Sequence, residues 1–216
     1  MTQNELYAAI TVSSVAVLIA VAALVCAIIA SMPRRHLVVI ASAVLVVIEI
    51  VLLLMPLPPL LDGVGFVLAI LGVAIAVVGG GPAVVAVLDL ATRGSVPDGA
   101  HGGIMVAAPS ADGAQDAGAE RDTPGEQEIA VRVGEQVRQP VEVLRGGATI
   151  GYLERVAVAA SLLAGYPEGL AVVVAIKGVG RFTELSEPET RERFIIGTFA
   201  SLVWACAGAA IAVLAR

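Results

Sequence analysis

Three stretches of this chain contain no Asp, Glu, Lys or Arg: 28 residues between Glu5 and Arg34, 26 between Asp62 and Asp89, and 22 between Arg193 and Arg216. A helix of about 20 predominantly apolar residues crosses the hydrocarbon core of a bilayer, so each run can span. Composition agrees. The 216 residues are 58% hydrophobic and 15% charged, against roughly 25% charged in a soluble domain. A mean hydropathy of +0.92 in 21.9 kDa is more apolar surface than a globule of that size can cover. The chain reads as an integral membrane protein.

The uncharged runs predict helices over about Tyr7 to Ser31, Val64 to Leu88 and Phe194 to Ala215. A further span, Leu37 to Met55, carries the single charge Glu49 and ends at Pro56-Leu57-Pro58-Pro59, where prolines stop a helix and stiffen the loop. Thr149 to Gly165 and Gly169 to Phe182 are shorter, and the turn Gly165-Tyr166-Pro167-Glu168-Gly169 joins them as a helical hairpin. The expected fold class is an all-α transmembrane bundle of about six helices, four long and two short. The hairpin either crosses fully or is re-entrant, with full crossing preferred. The first helix lacks a positive n-region and is too long for a signal-peptide core, so it is read as retained.

Lys and Arg favour cytoplasmic loops. Arg34 and Arg35 follow the first span, Arg93 to Arg145 follow the third, and Arg191 and Arg193 precede the last. This places both termini outside and residues 89–147 in the cytoplasm of a plasma membrane. An even number of crossings returns both ends to one face.

The chain thus divides into residues 1–88, an acidic insertion at 89–147, and a membrane region at 148–216. The insertion holds 15 of the 32 charges, ten acidic and five basic. Its part from Gly94 to Gln127 is rich in Gly, Ala, Asp, Pro and Ser and reads as disordered. Ile129, Val131 and Val133, then Val137, Val141 and Val143, alternate as in a short β-hairpin at 128–144. Pro140 confines that hairpin to an edge. A linker with a β-prone stretch is preferred here over a docking element. The acidic charge argues against nucleic acid as a partner. Membrane lipids, a second copy or another membrane protein are the partners expected.

Charge inside hydrocarbon costs at least about 2.5–3.5 kcal/mol per residue, so Glu49, Glu154, Arg155, Lys177, Arg181 and Glu184 are the candidate site. In an antiparallel hairpin turning near residue 166, Glu154 lies level with residue 179. Lys177 and Arg181, one turn apart on one face, then bracket it. Arg155 points away from Glu154, within reach of lipid phosphates or the insertion, and Glu49 lies near enough in depth to pair with Lys177 if their helices touch. The cluster either binds an ion, a proton or a lipid headgroup, or is an ion-pair lock on the hairpin. The lock is the simpler reading.

Small residues recur at four-residue spacing as Gly72, Ala76 and Gly80, and as Gly197, Ser201, Ala205 and Ala209, patterns that let helices approach closely. Gly79-Gly80-Gly81-Pro82 lacks the Lys-Ser/Thr of a phosphate-binding loop and is expected to break or kink its helix. His36 and His101 stand apart in loops, so no metal site is expected. Cys26 and Cys206 lie in apolar spans and imply no disulfide. No nucleophile elbow, zinc-protease signature or paired aspartates occur. The expectation is neither an enzyme nor a cofactor carrier.

Ile150-Gly151-Tyr152-Leu153-Glu154-Arg155, Ala175-Ile176-Lys177, Arg181-Phe182 with Glu184-Leu185, and Ile196-Gly197-Thr198 share a pattern. Through them residues 147–215 resemble the membrane region of an uncharacterised bacterial integral-membrane family. The resemblance implies a membrane unit and carries no activity. The functional expectation is a non-catalytic scaffold or partner-binding membrane protein. The alternative is a small transporter or channel subunit that uses Glu49, Glu154 and Lys177.

Overall fold

The computed structural model describes residues 2–32, 36–56, 58–92, 105–106, 141–142, 147–182 and 188–216. Within them lie six helices: α1 (Gln3–Ala30), α2 (His36–Leu54), α3 (Val64–Thr92), α4 (Gly147–Leu163), α5 (Gly169–Gly180) and α6 (Pro188–Leu214). Four of these, α1, α2, α3 and α6, are long and apolar enough to cross a membrane. The all-α transmembrane bundle with four long helices and a short hairpin is therefore the fold observed. At 1.5 Å per residue, the 17 residues of α4 reach about 26 Å and the 12 of α5 about 18 Å. The hydrocarbon core is about 30 Å thick. Helix length alone therefore supports four spans and leaves α5 short of a fifth or sixth.

β1 (Met105–Val106) and β2 (Val141–Glu142) pair antiparallel, with Met105 opposite Glu142. They belong to a separate unit, Pro97–Gly147. The hairpin expected at 128–144 lies, apart from Val141–Glu142, outside the described residues, and so does the disorder expected for 94–127 apart from Met105–Val106. The third span continues beyond Leu88 to Thr92. There Asp89 meets His36, the first residue of α2, at 3.3 Å.

The ends of the elements follow local chemistry. Thr2 and Glu5 cap α1 reciprocally: the Glu5 amide donates to Thr2 Oγ1 at 3.4 Å and the Thr2 amide to Glu5 Oε2 at 2.7 Å. The α4–α5 turn is closed by Gly165 at φ +70°, a left-handed conformation that glycine adopts without steric cost. The Gly165 and Tyr166 amides satisfy the carbonyls of Leu162 and Ser161 at the end of α4.

The core is built of small residues. The buried face of α1 is Ala9, Ser13, Ala16, Ala20, Ala23, Ala27 and Ala30, alternating spacings of four and three. Leu18, Val21, Val25 and Ile28 of the same helix face outward. In lipid there is no hydrophobic gain in burying leucine, so helices associate where backbones come close enough for van der Waals and hydrogen-bond contact. Ser42 of α2 accordingly donates to the Ala23 carbonyl of α1 at 2.9 Å. The Leu61 amide, just before α3, donates to Ser13 Oγ at 3.0 Å.

The tightest approach is between α3 and α6. A Cβ on Gly72 would lie 2.6 Å from the Gly208 carbonyl oxygen, and one on Gly208 2.6 Å from the Ala76 amide nitrogen. Ala205 and Ala209 are fully buried on the same side of α6, and Gly197 faces Val84 and Leu88 of α3. The small-residue stripes thus serve packing within the chain. Of the break or kink expected at Gly79-Gly80-Gly81-Pro82, the break does not occur: the helix runs through Pro82 to Thr92. Neighbouring helices can supply the contacts that a proline disturbs, which is why prolines are tolerated inside membrane bundles. Here the Trp204 ring lies against Gly79 and the Arg155 side chain against Gly80.

Candidate functional site

Arg155 enters the bundle. Its Cδ passes 2.3 Å from where a Gly80 Cβ would stand, and its Nη1 3.1 Å from where a Gly151 Cβ would stand. Two missing side chains therefore make the slot in which the arginine lies. Nε donates to the Val77 carbonyl of α3 at 2.8 Å, Nη1 donates to Ser201 Oγ of α6 at 3.4 Å, and the guanidinium sits 4.9 Å from the Tyr152 ring centre. With 5% of its surface exposed, Arg155 ties three helices together. The expectation that it points outward to lipid or the insertion is corrected. The deep groove left by glycine offers the charge polar partners that hydrocarbon lacks.

One residue earlier, Glu154 forms an ion pair with Lys177 of α5, their side chains only 13% and 19% exposed. The antiparallel register expected from the sequence is met here to within two residues. The Lys177 ammonium also lies 5.7 Å from the Phe194 ring centre, a cation–π contact at the beginning of the apolar part of α6. Arg181 stands one turn on, as the residue that caps α5. Glu184 lies outside the described residues.

Between α4, α5 and α6 these groups enclose a small cavity of about 10 Å³, room for about one water-sized molecule. Glu154, Arg155, Lys177, Thr198 and Ser201 border it together with Val158, Val173, Val174 and Leu202, and its walls are mostly apolar. Thr198 Oγ1 is buried there and makes no hydrogen bond among the described residues. At the other end of the hairpin Arg216 donates to the Leu163 carbonyl at 2.8 Å. The hairpin is thus fastened to α6 at both ends.

Glu49 is not part of this cluster, and the Glu49–Lys177 pair that similar depth made feasible is not formed. The Ser42–Ala23 bond sets the antiparallel register of α1 and α2, which places Glu49 level with Ala16. Ala16 packs with Leu68 and Ala215, whereas the Lys177 cavity reaches α6 at Ser201. Ser201 and Ala215 are 14 residues apart, about 21 Å along a helix. Glu49 is 0% exposed, and neither carboxylate oxygen has a hydrogen-bond partner among the described residues. Val46 and Leu53, one turn to either side on α2, pack into apolar clusters.

Several contributors were not singled out by sequence. Gly151 was noticed only within a shared pattern, although its lack of a side chain admits the guanidinium. Trp204 donates from Nε1 to the Ile75 carbonyl at 2.9 Å, locking α6 to α3 beside Arg155. Being the only tryptophan of the chain, it carried a signal: a buried indole N–H needs an acceptor. Thr198, like Gly151, stood only within the shared pattern. Searches of protein families, curated proteins and solved structures find no match to this chain.

Proposed function

We propose that this protein is a non-catalytic, polytopic protein of the bacterial plasma membrane that acts as a scaffold or partner-binding component. In this reading both termini lie outside and residues 89–147 face the cytoplasm. The observation that carries it is the closure of the charged cluster. Glu154 is taken by Lys177, Arg155 is taken by Val77 and Ser201, and the space between them is about 10 Å³. Such a cluster supports a lock on the hairpin better than a path for a solute. The resemblance of residues 147–215 to an uncharacterised bacterial membrane family supports the bacterial assignment.

The experiment is purification of the full chain in mild detergent, with the stoichiometry of what accompanies it. A second copy or a membrane protein in fixed ratio is expected. A monodisperse monomer that retains no partner after gentle extraction counts against the scaffold role. Cysteines placed singly in the insertion should react with an impermeant thiol reagent only from the cytoplasmic side.

The second reading, a small transporter or channel subunit, is favoured by Glu49. A fully buried carboxylate without a donor among the described residues is a liability to folding, and intramembrane acids of this kind are found on ion and proton paths. Under this reading Glu49→Gln abolishes transport and leaves folded yield unchanged.

A further inference from the structure

We propose that Glu49 is a proton-binding site: in the folded bundle it stands as a neutral carboxylic acid, and the bound proton is what lets α2 pack there. Glu49 is fully buried, and neither of its oxygens has a hydrogen-bond partner among the described residues. Val46 and Leu53, one turn to either side, pack into clusters built on Ala23, Ile75 and Ile211 and on Ala16, Leu68 and Ala215. The helices packed against α2 are α1, α3 and α6. Their charged residues stand at the ends: Glu5 of α1, Asp62 and Asp89 about α3, and Glu189 to Arg193 with Arg216 about α6. Arg216, which follows Ala215, donates to the Leu163 carbonyl instead. The nearest buried hydroxyls are also engaged elsewhere, Ser13 accepting from the Leu61 amide and Ser42 donating to the Ala23 carbonyl. An isolated carboxylate among alkyl groups costs far more than the neutral acid, so such a group takes up a proton. A metal ion does not fit. Hard cations take about six or more oxygen ligands, and among the described residues no group of three His, Cys, Asp or Glu could hold a metal. A proton needs one oxygen. The inference names the ion of the transporter reading, but proton occupancy and solute movement are measured apart, so absence of transport counts against that reading alone.

The test uses the purified full-length protein in mild detergent. At neutral pH its infrared spectrum should show the C=O stretch of a protonated carboxyl, shifted in D2O. Glu49→Gln, the isostere of the neutral acid, should lack that band. Thermal unfolding gives a second readout. Above about pH 4.3, where an unfolded glutamate ionises, the folded state binds one proton more than the unfolded state. Raising the pH should therefore weaken wild-type folding about tenfold per pH unit relative to Glu49→Gln. Between about pH 5 and 7 the Tm of the wild type should fall by about 5–10 °C against that of the variant. A wild type without the carboxyl band at neutral pH refutes the proposal, whether or not the variant folds. Stability that rises with pH relative to Glu49→Gln means an ionised Glu49 with a cationic partner, and overturns it as well. A rise in wild-type Tm with sodium over choline at equal ionic strength, absent from Glu49→Gln, assigns the site to a metal ion instead.

Discussion

Gly208→Ala tests the claim that α3 and α6 meet backbone to backbone. The added Cβ would lie 2.6 Å from the Ala76 amide nitrogen, 2.7 Å from its Cα and 2.7 Å from its Cβ. Carbon atoms rest at about 3.5–4.0 Å, so the two helices must part by about 1 Å. No flexible side chain stands there to yield. Overpacking of this kind costs about 1–3 kcal/mol, and an obstacle made of backbone belongs at the upper end. The better helix propensity of alanine offsets about 1 kcal/mol. A net loss of about 1–2 kcal/mol should lower Tm by about 2–8 °C in a chain of this size. Gly178→Ala is the matched control, because nothing lies within 4 Å of its Cβ position in α5. There only the propensity term acts, and Tm should rise by about 2 °C. Thermal unfolding in detergent can be followed through Trp204, the single tryptophan, which sits in the α3–α6 contact itself. If both substitutions move Tm in the same direction, the close approach of the two helices is refuted.

Lys177→Met should destabilise by about 3 kcal/mol, because it leaves the Glu154 carboxylate buried without its cation. Replacing both partners, Glu154→Gln with Lys177→Met, should recover most of the loss; additive effects in the double-mutant cycle would mean that the two do not act as a pair. Glu49→Leu should be neutral or stabilising by about 1–3 kcal/mol, since it removes a buried carboxylate that has no donor among the described residues. A collapse in folded yield would show instead that Glu49 has a partner that holds the bundle together.

The element boundaries were largely legible because charge is so costly in hydrocarbon. Glu5, Arg34, Asp62 and Arg193 bracket the uncharged runs, and α1, α2, α3 and α6 begin or end within a few residues of the expected limits. The Glu154–Lys177 pair was legible for a related reason: an antiparallel hairpin with a short turn fixes which residues stand level. The small-residue face of α1 was equally present in the sequence. It was overlooked because alanine is abundant in this chain, and only its alternating spacing of three and four marks it as an interface.

Two readings turned on neighbours that the sequence does not show. Gly79-Gly80-Gly81-Pro82 has every local attribute of a helix breaker, yet α3 continues through it. The reason is tertiary, since Trp204 and Arg155 come from other helices to fill the space above Gly79 and Gly80. Glu49 and Lys177 were matched by depth in adjoining spans, but depth counted from loop ends does not record how each helix is shifted along its neighbours.

By itself, then, the sequence determined that the protein lives in a membrane, where four of its helices lie and which hairpin residues face each other. Those follow from the solvation cost of charge and from helix and turn geometry, both of which act within a short stretch of chain. Only the tertiary structure decided that Arg155 turns inward and that Glu49 lies apart from the Lys177 cavity. It likewise decided that a buried Thr198 hydroxyl opens on a cavity. Each of these depends on which glycine or alanine of one helix leaves room for a side chain of another, and that is a property of the packed bundle.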